Sequence, residues 1–202
     1  FGLSGTIPKP GTLDRLTLMS HTGPLINEVN ASFLQSKGHI AKCKVNVIEM
    51  DYAPDATKQA FSELANNKYD RSKVFGLECN YIINNNERLN FISNVIEKTT
   101  KNSLVLFYRI EHGTRLYEKL RQSNKQVYYV DGGTDKDIRE SYKAKMESNN
   151  DVILVASFGT FSTGISIKNI HNIFFTESFK SEIIIRQSIG RGLRLHAEKD
   201  IL

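Results

Sequence analysis

The chain has 202 residues, 40% hydrophobic and 24% charged, with no low-complexity stretch, so a packed soluble core is expected. Two cysteines, Cys43 and Cys79, are too few and too far apart for a disulfide framework or a metal site, and no run approaches the roughly 18 apolar residues of a membrane span. An intracellular, cytoplasmic protein is expected, and its 27 Lys and Arg against 22 Asp and Glu favour a polyanionic partner without requiring one.

In chain order, residues 1–11 read as a strand and turn from a preceding domain and 12–38 as helical material. With no initiator methionine at the start and a strand beginning at "KDIL" at the end, both ends read as cuts in a longer protein. Around 44–52, Val45, Val47 and Ile48 alternate with polar residues, as a less buried edge strand does. Residues 54–100 read as mostly helical; the clearest helix is "ERLNFISNVIEKTT", with Leu89, Ile92, Val95 and Ile96 on one face. From residue 103 onward, strands and helices alternate: strands at 103–109, 126–130, 151–157 and 172–177, helices at 113–123 and 135–148, and a last helix at 181–195. Continuous apolar strands between helices of this length imply βαβ units, hence an α/β fold with a parallel sheet covered on both faces. The division placed on this pattern is 1–39 and 40–202.

Three clusters could carry chemistry. In "QSIGRGLR" (187–194), Gln187, Arg191 and Arg194 at i, i+4 and i+7 would project from one helical face. Two permanently charged guanidinium forks on one face suit phosphate oxygens, while Gly190 and Gly192 each cost a helix about 1 kcal/mol relative to alanine and allow close backbone approach. A solvated basic helix end would look the same. "ASFGTFSTGISIKN" (156–169) lies past a strand's carboxyl end, where open α/β sheets bind ligands. Ser157, Thr160, Ser162 and Thr163 offer hydroxyls there, and Gly159 and Gly164 free the backbone; a plain polar loop is the alternative. In "VDGGTDKDIRE" (130–140), Thr134 or Asp135 can cap the next helix, and Gly132 and Gly133 could help hold a phosphate or simply form a turn.

Taken in order, these stretches resemble the superfamily 2 helicases: "GLSGT" their motif III, "SLVLFYRIEHG" motif IV, "VYYVDGGTDKDIRE" motif IVa, "VILVASFGTFSTGISIKN" motif V and "QSIGRGLR" motif VI, the Q-x-x-G-R-x-x-R pattern. The resemblance runs from residue 2 to 194 and is greatest to phage recombination helicases of the UvsW type. It implies a RecA-like second motor domain (40–202), preceded by the end of the first RecA-like domain and a connector (1–39). It further implies ATP and Mg2+ bound mainly by the first domain, because no G-x-x-x-x-G-K-[ST] occurs here. The fragment alone is then expected to be inactive.

By the same resemblance, Arg194, with Arg191 as its partner, would act as an arginine finger on the γ-phosphate, and Gln187 would bond near that phosphate or the attacking water. Gly164 and Ser166 would lie at the ribose, although many relatives have aspartate where this chain has Ser166. Ser157, Thr160, Gly133, Thr134, Phe107 and Arg109 would line the DNA backbone, and Ser4 and Thr6 would couple nucleotide state to the strand. Expected partners are DNA, bound without sequence specificity, and the first RecA-like domain of the same protein. The function implied is ATP-driven translocation, unwinding or remodelling of branched DNA in recombination and repair. A duplex translocase without strand separation, or a noncatalytic nucleic-acid-binding module, would share these features.

Overall fold

A computed structural model of the chain describes residues 7–26, 29–52, 61–62, 71–164, 166–177 and 181–199, with the backbone alone at 71–72 and 162–164. Four parallel strands form its centre: β1 (Ser103–Phe107), β2 (Gln126–Val130), β3 (Val152–Ser157) and β4 (Asn172–Phe175). Their spatial order is β2-β3-β1-β4, so β1 and β3 are the inner strands and are wholly buried. The register sets Leu104 against Leu154 and Ile173, and Val105 against Val155 and Phe174.

Alternate residues of each strand feed two separate cores. Val105, Phe107, Ile153 and Val155 face Leu89 and Ile96 of one helix (Asn86–Lys98) and Leu116 and Leu120 of another (Ile110–Leu120). Leu104, Leu106, Leu154 and Ala156 face Met146 of the helix Lys136–Ser148, then Phe158 and Phe161 of a short helix Phe158–Gly164, with Ile184 of the helix Glu182–Gly192 packed against them. The result is a three-layer α/β/α sandwich, as the continuous apolar strands imply. In chain order the helices are α1 (Leu13–Thr22), α2 (Ala31–Ser36), α3 (Arg71–Asn84), α4 (Asn86–Lys98), α5 (Ile110–Leu120), α6 (Lys136–Ser148), α7 (Phe158–Gly164) and α8 (Glu182–Gly192).

The amino ends of the strands are tied together by a single buried amide. Asn102 Nδ2 donates to the carbonyls of Met146 (2.7 Å), Asn149 (2.8 Å) and Asn169 (2.9 Å), and its Oδ1 accepts from Val152 N (2.8 Å). Its backbone carbonyl accepts from His171 N and Asn172 N. One side chain thus fixes the end of α6, the start of β3 and the approach to β4.

Three expectations are corrected. Residues 43–52 form no strand; Val45, Val47 and Ile48 are 71%, 81% and 55% exposed, and this stretch faces β4 and α4 across a groove instead of pairing with the sheet. Alternation alone supplied no buried partner surface, and that is what a strand needs. The region expected as a Gly/Ser/Thr-rich loop after β3 begins with the helical turns of α7, because burial of Phe158 and Phe161 in the core outweighs the poor helix propensity of the intervening residues. The last helix stops at Gly192, with Leu193 as its C-cap, short of the expected end at 195.

Candidate nucleotide and nucleic-acid site

The carboxyl ends of β1, β2 and β3 open onto the motif IV, IVa and V stretches, along one rim of the sheet. Helix α8 reaches the region of motif V by packing on α7 through the second core. Ser181 starts α8 by accepting a hydrogen bond from Ile184 N at 3.4 Å.

The arginine cluster does not stand on one helical face. Gln187 and Arg191 are on α8, exposed and half-buried respectively, whereas Arg194 lies past the C-cap, in the turn after the helix. This corrects the i, i+4, i+7 expectation, and it separates the two arginines. The Arg191 guanidinium sits 5.9 Å from the centre of the Phe161 ring, which packs it onto α7. Arg194 is half-buried, and among the described residues nothing hydrogen-bonds or ion-pairs with its guanidinium. Its backbone is held firmly: Lys199 Nζ donates to the carbonyls of Gly192 (2.9 Å) and Arg194 (3.0 Å), and Ala41 N donates to that of Leu193 (2.9 Å). These bonds satisfy carbonyls that a helix end otherwise leaves unpaired. A Cβ at Gly190 would meet nothing within 4 Å, so packing does not demand glycine there.

In motif V, Ser157 and Thr160 are both buried, 8% and 4% exposed, and their hydroxyl oxygens lie 2.8 Å apart in a hydrogen bond to each other. Gly164 ends α7 and Ser166 is half-buried just beyond it; the side chains of Ser162 and Thr163 lie outside the described residues. In motif IVa, Asp135 is the cap of α6, accepting from Asp137 N at 2.8 Å, which decides between it and Thr134. Thr134 instead closes the turn, its Oγ1 donating to Asp131 Oδ1 (3.1 Å) and accepting from Asp131 N (3.0 Å). Gly133 N also donates to Asp131 Oδ1 at 2.9 Å, so a carboxylate already takes the amide that could have held a phosphate.

Motif IV divides at the end of β1. Phe107 is fully buried, stacked on Tyr129 with centroids 5.5 Å apart, and so belongs to the core beneath the loop rather than to a surface that DNA could touch. Arg109 is half-buried; its guanidinium donates to Asn80 of α3. Ser4 and Thr6 lie outside the described residues.

Sequence reasoning missed the group that shapes motif IV. Glu177, following β4, accepts from Tyr108 N (3.0 Å), Arg109 N (3.2 Å) and His112 Nδ1 (2.9 Å) through one carboxylate oxygen. Burial pushes the Glu177 carboxyl up, but the hydrogen bonds from His112, Tyr108 and Arg109 outweigh it and hold the group below the ordinary carboxylate range. Arg88 completes the cluster, donating to the carbonyl of Thr176 and lying 3.4 Å from His112 Nε2. The available signal was a carboxylate closing the run "NIFFTE" that carries β4. Among the described residues no three His, Cys, Asp or Glu side chains gather to hold a metal, and no helix is long and apolar enough to cross a membrane.

A RecA-like parallel sheet of this order, with the motif IV, IVa and V stretches on its carboxyl rim and motif VI on the last helix and the turn after it, is that of a superfamily 2 helicase C-terminal domain. The chain matches the family described as Helicase conserved C-terminal domain over residues 87–196, and it belongs to that family. Within it, the chain is 31% identical over its whole length to the ATP-dependent DNA helicase uvsW of Enterobacteria phage T4. The crystal structure of T4 UvsW superimposes with a TM-score of 0.56 at 32% identity, covering 71% of this chain and 28% of that one. The Saccharomyces cerevisiae protein IRC3 is 30% identical over 52% of this chain and 15% of its own length. The chain spans 38% of the length of the phage protein.

Proposed function

We propose that this chain is the second motor domain of an ATP-dependent DNA helicase, closing on ATP held by a first RecA-like domain. The observation that carries this reading is Arg194: a permanently charged guanidinium beside motif V, unengaged by the described chain, on a backbone tied down on both sides. Such a group, supplied across a domain cleft, offsets the charge that develops as a terminal phosphoryl group is transferred, and is worth about 10³ to 10⁵ in rate. Arg191, seated on Phe161, supports it, and Gln187 orients the attacking water. Gly164 and Ser166 adjoin the ribose. Mg2+, which neutralises phosphate charge when bound, would be held by the first domain.

DNA would run along the same rim, over Arg109 and the Gly133 and Thr134 turn. Ser157 and Thr160 reach it only if their mutual hydrogen bond opens. These are contacts to phosphate and sugar, so affinity would be nearly independent of sequence and would fall with salt. Residues 1–39 would be the end of the first domain and the connector, with Ser4 and Thr6 relaying nucleotide state. Alone, residues 1–202 would not hydrolyse ATP; in the whole protein they would drive remodelling of branched DNA in recombination and repair.

The test is Arg194→Ala in the full-length protein. DNA-stimulated ATP turnover should fall about 10³-fold or more, with the Kd for forked DNA within about threefold of wild type. Lost DNA affinity with turnover preserved would assign the cluster to the wrong ligand.

A further inference from the structure

We infer that Lys199 is a positioning residue for the arginine finger, fastening the end of α8 to the loop after α7 and so fixing where Arg194 leaves the helix. This rests on the reading of Arg194 above. Lys199 is 4% exposed, and its three ammonium protons meet three carbonyls: Lys168 (2.5 Å), Gly192 (2.9 Å) and Arg194 (3.0 Å). The first belongs to motif V, the other two bracket the exit of α8. The Lys168 peptide is gripped from its other side as well, because Lys168 N donates to Glu147 Oε1 at 2.6 Å and Asn169 N to Glu147 Oε2 at 3.2 Å. Among the described residues no carboxylate bonds to the ammonium, which is held by three peptide carbonyls with the charge of Glu147 nearby.

A buried ammonium is an expensive way to finish a helix, since a glycine or a backbone amide does so without desolvating a charge. What only a long, three-donor side chain can do is reach the carbonyl of Lys168, 31 residues back, while also holding the carbonyl of Arg194 itself. That carbonyl is one bond from the Cα that launches the guanidinium. A misplacement of about 1 Å at such a group costs about 10²-fold in rate. The Lys199 amine is pushed down to about 8, first by burial, with Glu147 opposing. The other titratable groups around this packing are His171 and the three that, with Lys199, act on it: Lys101, His196 and Glu198.

The experiment uses the full-length protein and four variants: Lys199→Met, Lys199→Arg, Arg194→Ala and the double Lys199→Met/Arg194→Ala. Lys199→Met should lower kcat for DNA-stimulated ATP turnover by about 10- to 10²-fold, leaving KM for ATP and the Kd for forked DNA within about threefold. Lys199→Arg, which keeps the charge, should restore most of that loss. The double variant should be no slower than Arg194→Ala alone, because a residue acting through Arg194 has nothing left to position. An unchanged kcat in Lys199→Met beside a dead Arg194→Ala overturns the inference, as does a double variant slower than Arg194→Ala. Turnover preserved in Arg194→Ala overturns the finger reading instead.

If Lys199→Met does not fold, the pH profile decides. Wild-type kcat should fall as pH rises through about 8, where the ammonium loses its proton, and this limb should be missing in Lys199→Arg. Because the folded amine binds its proton more weakly than the unfolded one, this group makes stability rise, not fall, between about 8 and 10.5. A thermal midpoint that does not drop with kcat therefore separates positioning from unfolding. An identical alkaline limb in wild type and Lys199→Arg overturns the proposal.

Discussion

Gly113 shows how a single atom can decide a helix's place. A Cβ there would lie 2.5 Å from ring atoms of Phe107, which is fully buried and stacked on Tyr129, so neither partner can give way cheaply. Gly113→Ala should destabilise the domain by about 1 to 3 kcal/mol, although alanine is the better helix former by about 1 kcal/mol; the urea midpoint measures it. The same contact explains why Phe107 could not be assigned from the sequence. In "SLVLFYR" the run Leu104 to Phe107 is apolar and Tyr108 and Arg109 are amphipathic, so nothing marks where burial ends. Only the end of β1 at Phe107 separates a core ring from Tyr108, which is 69% exposed, and from Arg109.

At the scale of elements, short-range signals carried furthest. The boundaries of β1 to β4 fall within about two residues of the apolar runs, and α6 starts at Asp135, one of the two caps that the spacing offered. Asp135→Ala should cost about 1 kcal/mol, seen as a lower thermal midpoint with the fold unchanged. Long-range effects were illegible. Helix α7 exists because Phe158 and Phe161 find a core, and α8 ends early because Lys199 and Ala41 take its last carbonyls. Ala41 is far in sequence from Leu193, whose carbonyl it takes, whereas Lys199 is only seven and five residues from Gly192 and Arg194. The Glu177 cluster was hidden for the same reason: His112 and Glu177 are 65 residues apart, and only the β1·β4 pairing brings them together.

Over the whole molecule, charge and burial predict a response to acid. His171 packs between the start of β4 and the turn after α8, its Nε2 2.9 Å from Asn169 Oδ1. Burial, then the nearby charges of Lys101 and Lys199, lower its pKa from 6.5 to about 4. Between those values the unfolded chain takes up a proton that the folded one refuses, so stability falls as pH drops from about 6.5 to about 4. The thermal midpoint should decline across that window, and His171→Gln, which keeps a donor for Asn169, should flatten the decline.

The Asn102 amide gives the sandwich two unlike rims. At the amino rim, one side chain staples α6, β1, β3 and the approach to β4. At the carboxyl rim Glu177 joins the loop after β1 to the end of β4, while the motif IVa and motif V turns hold themselves by local bonds. The strands are thus held in register at their amino ends by a shared side chain as well as by their ladders. A load applied where the DNA is proposed to run would therefore rock the domain about its far edge as one body, instead of being lost in slippage between β1 and β3.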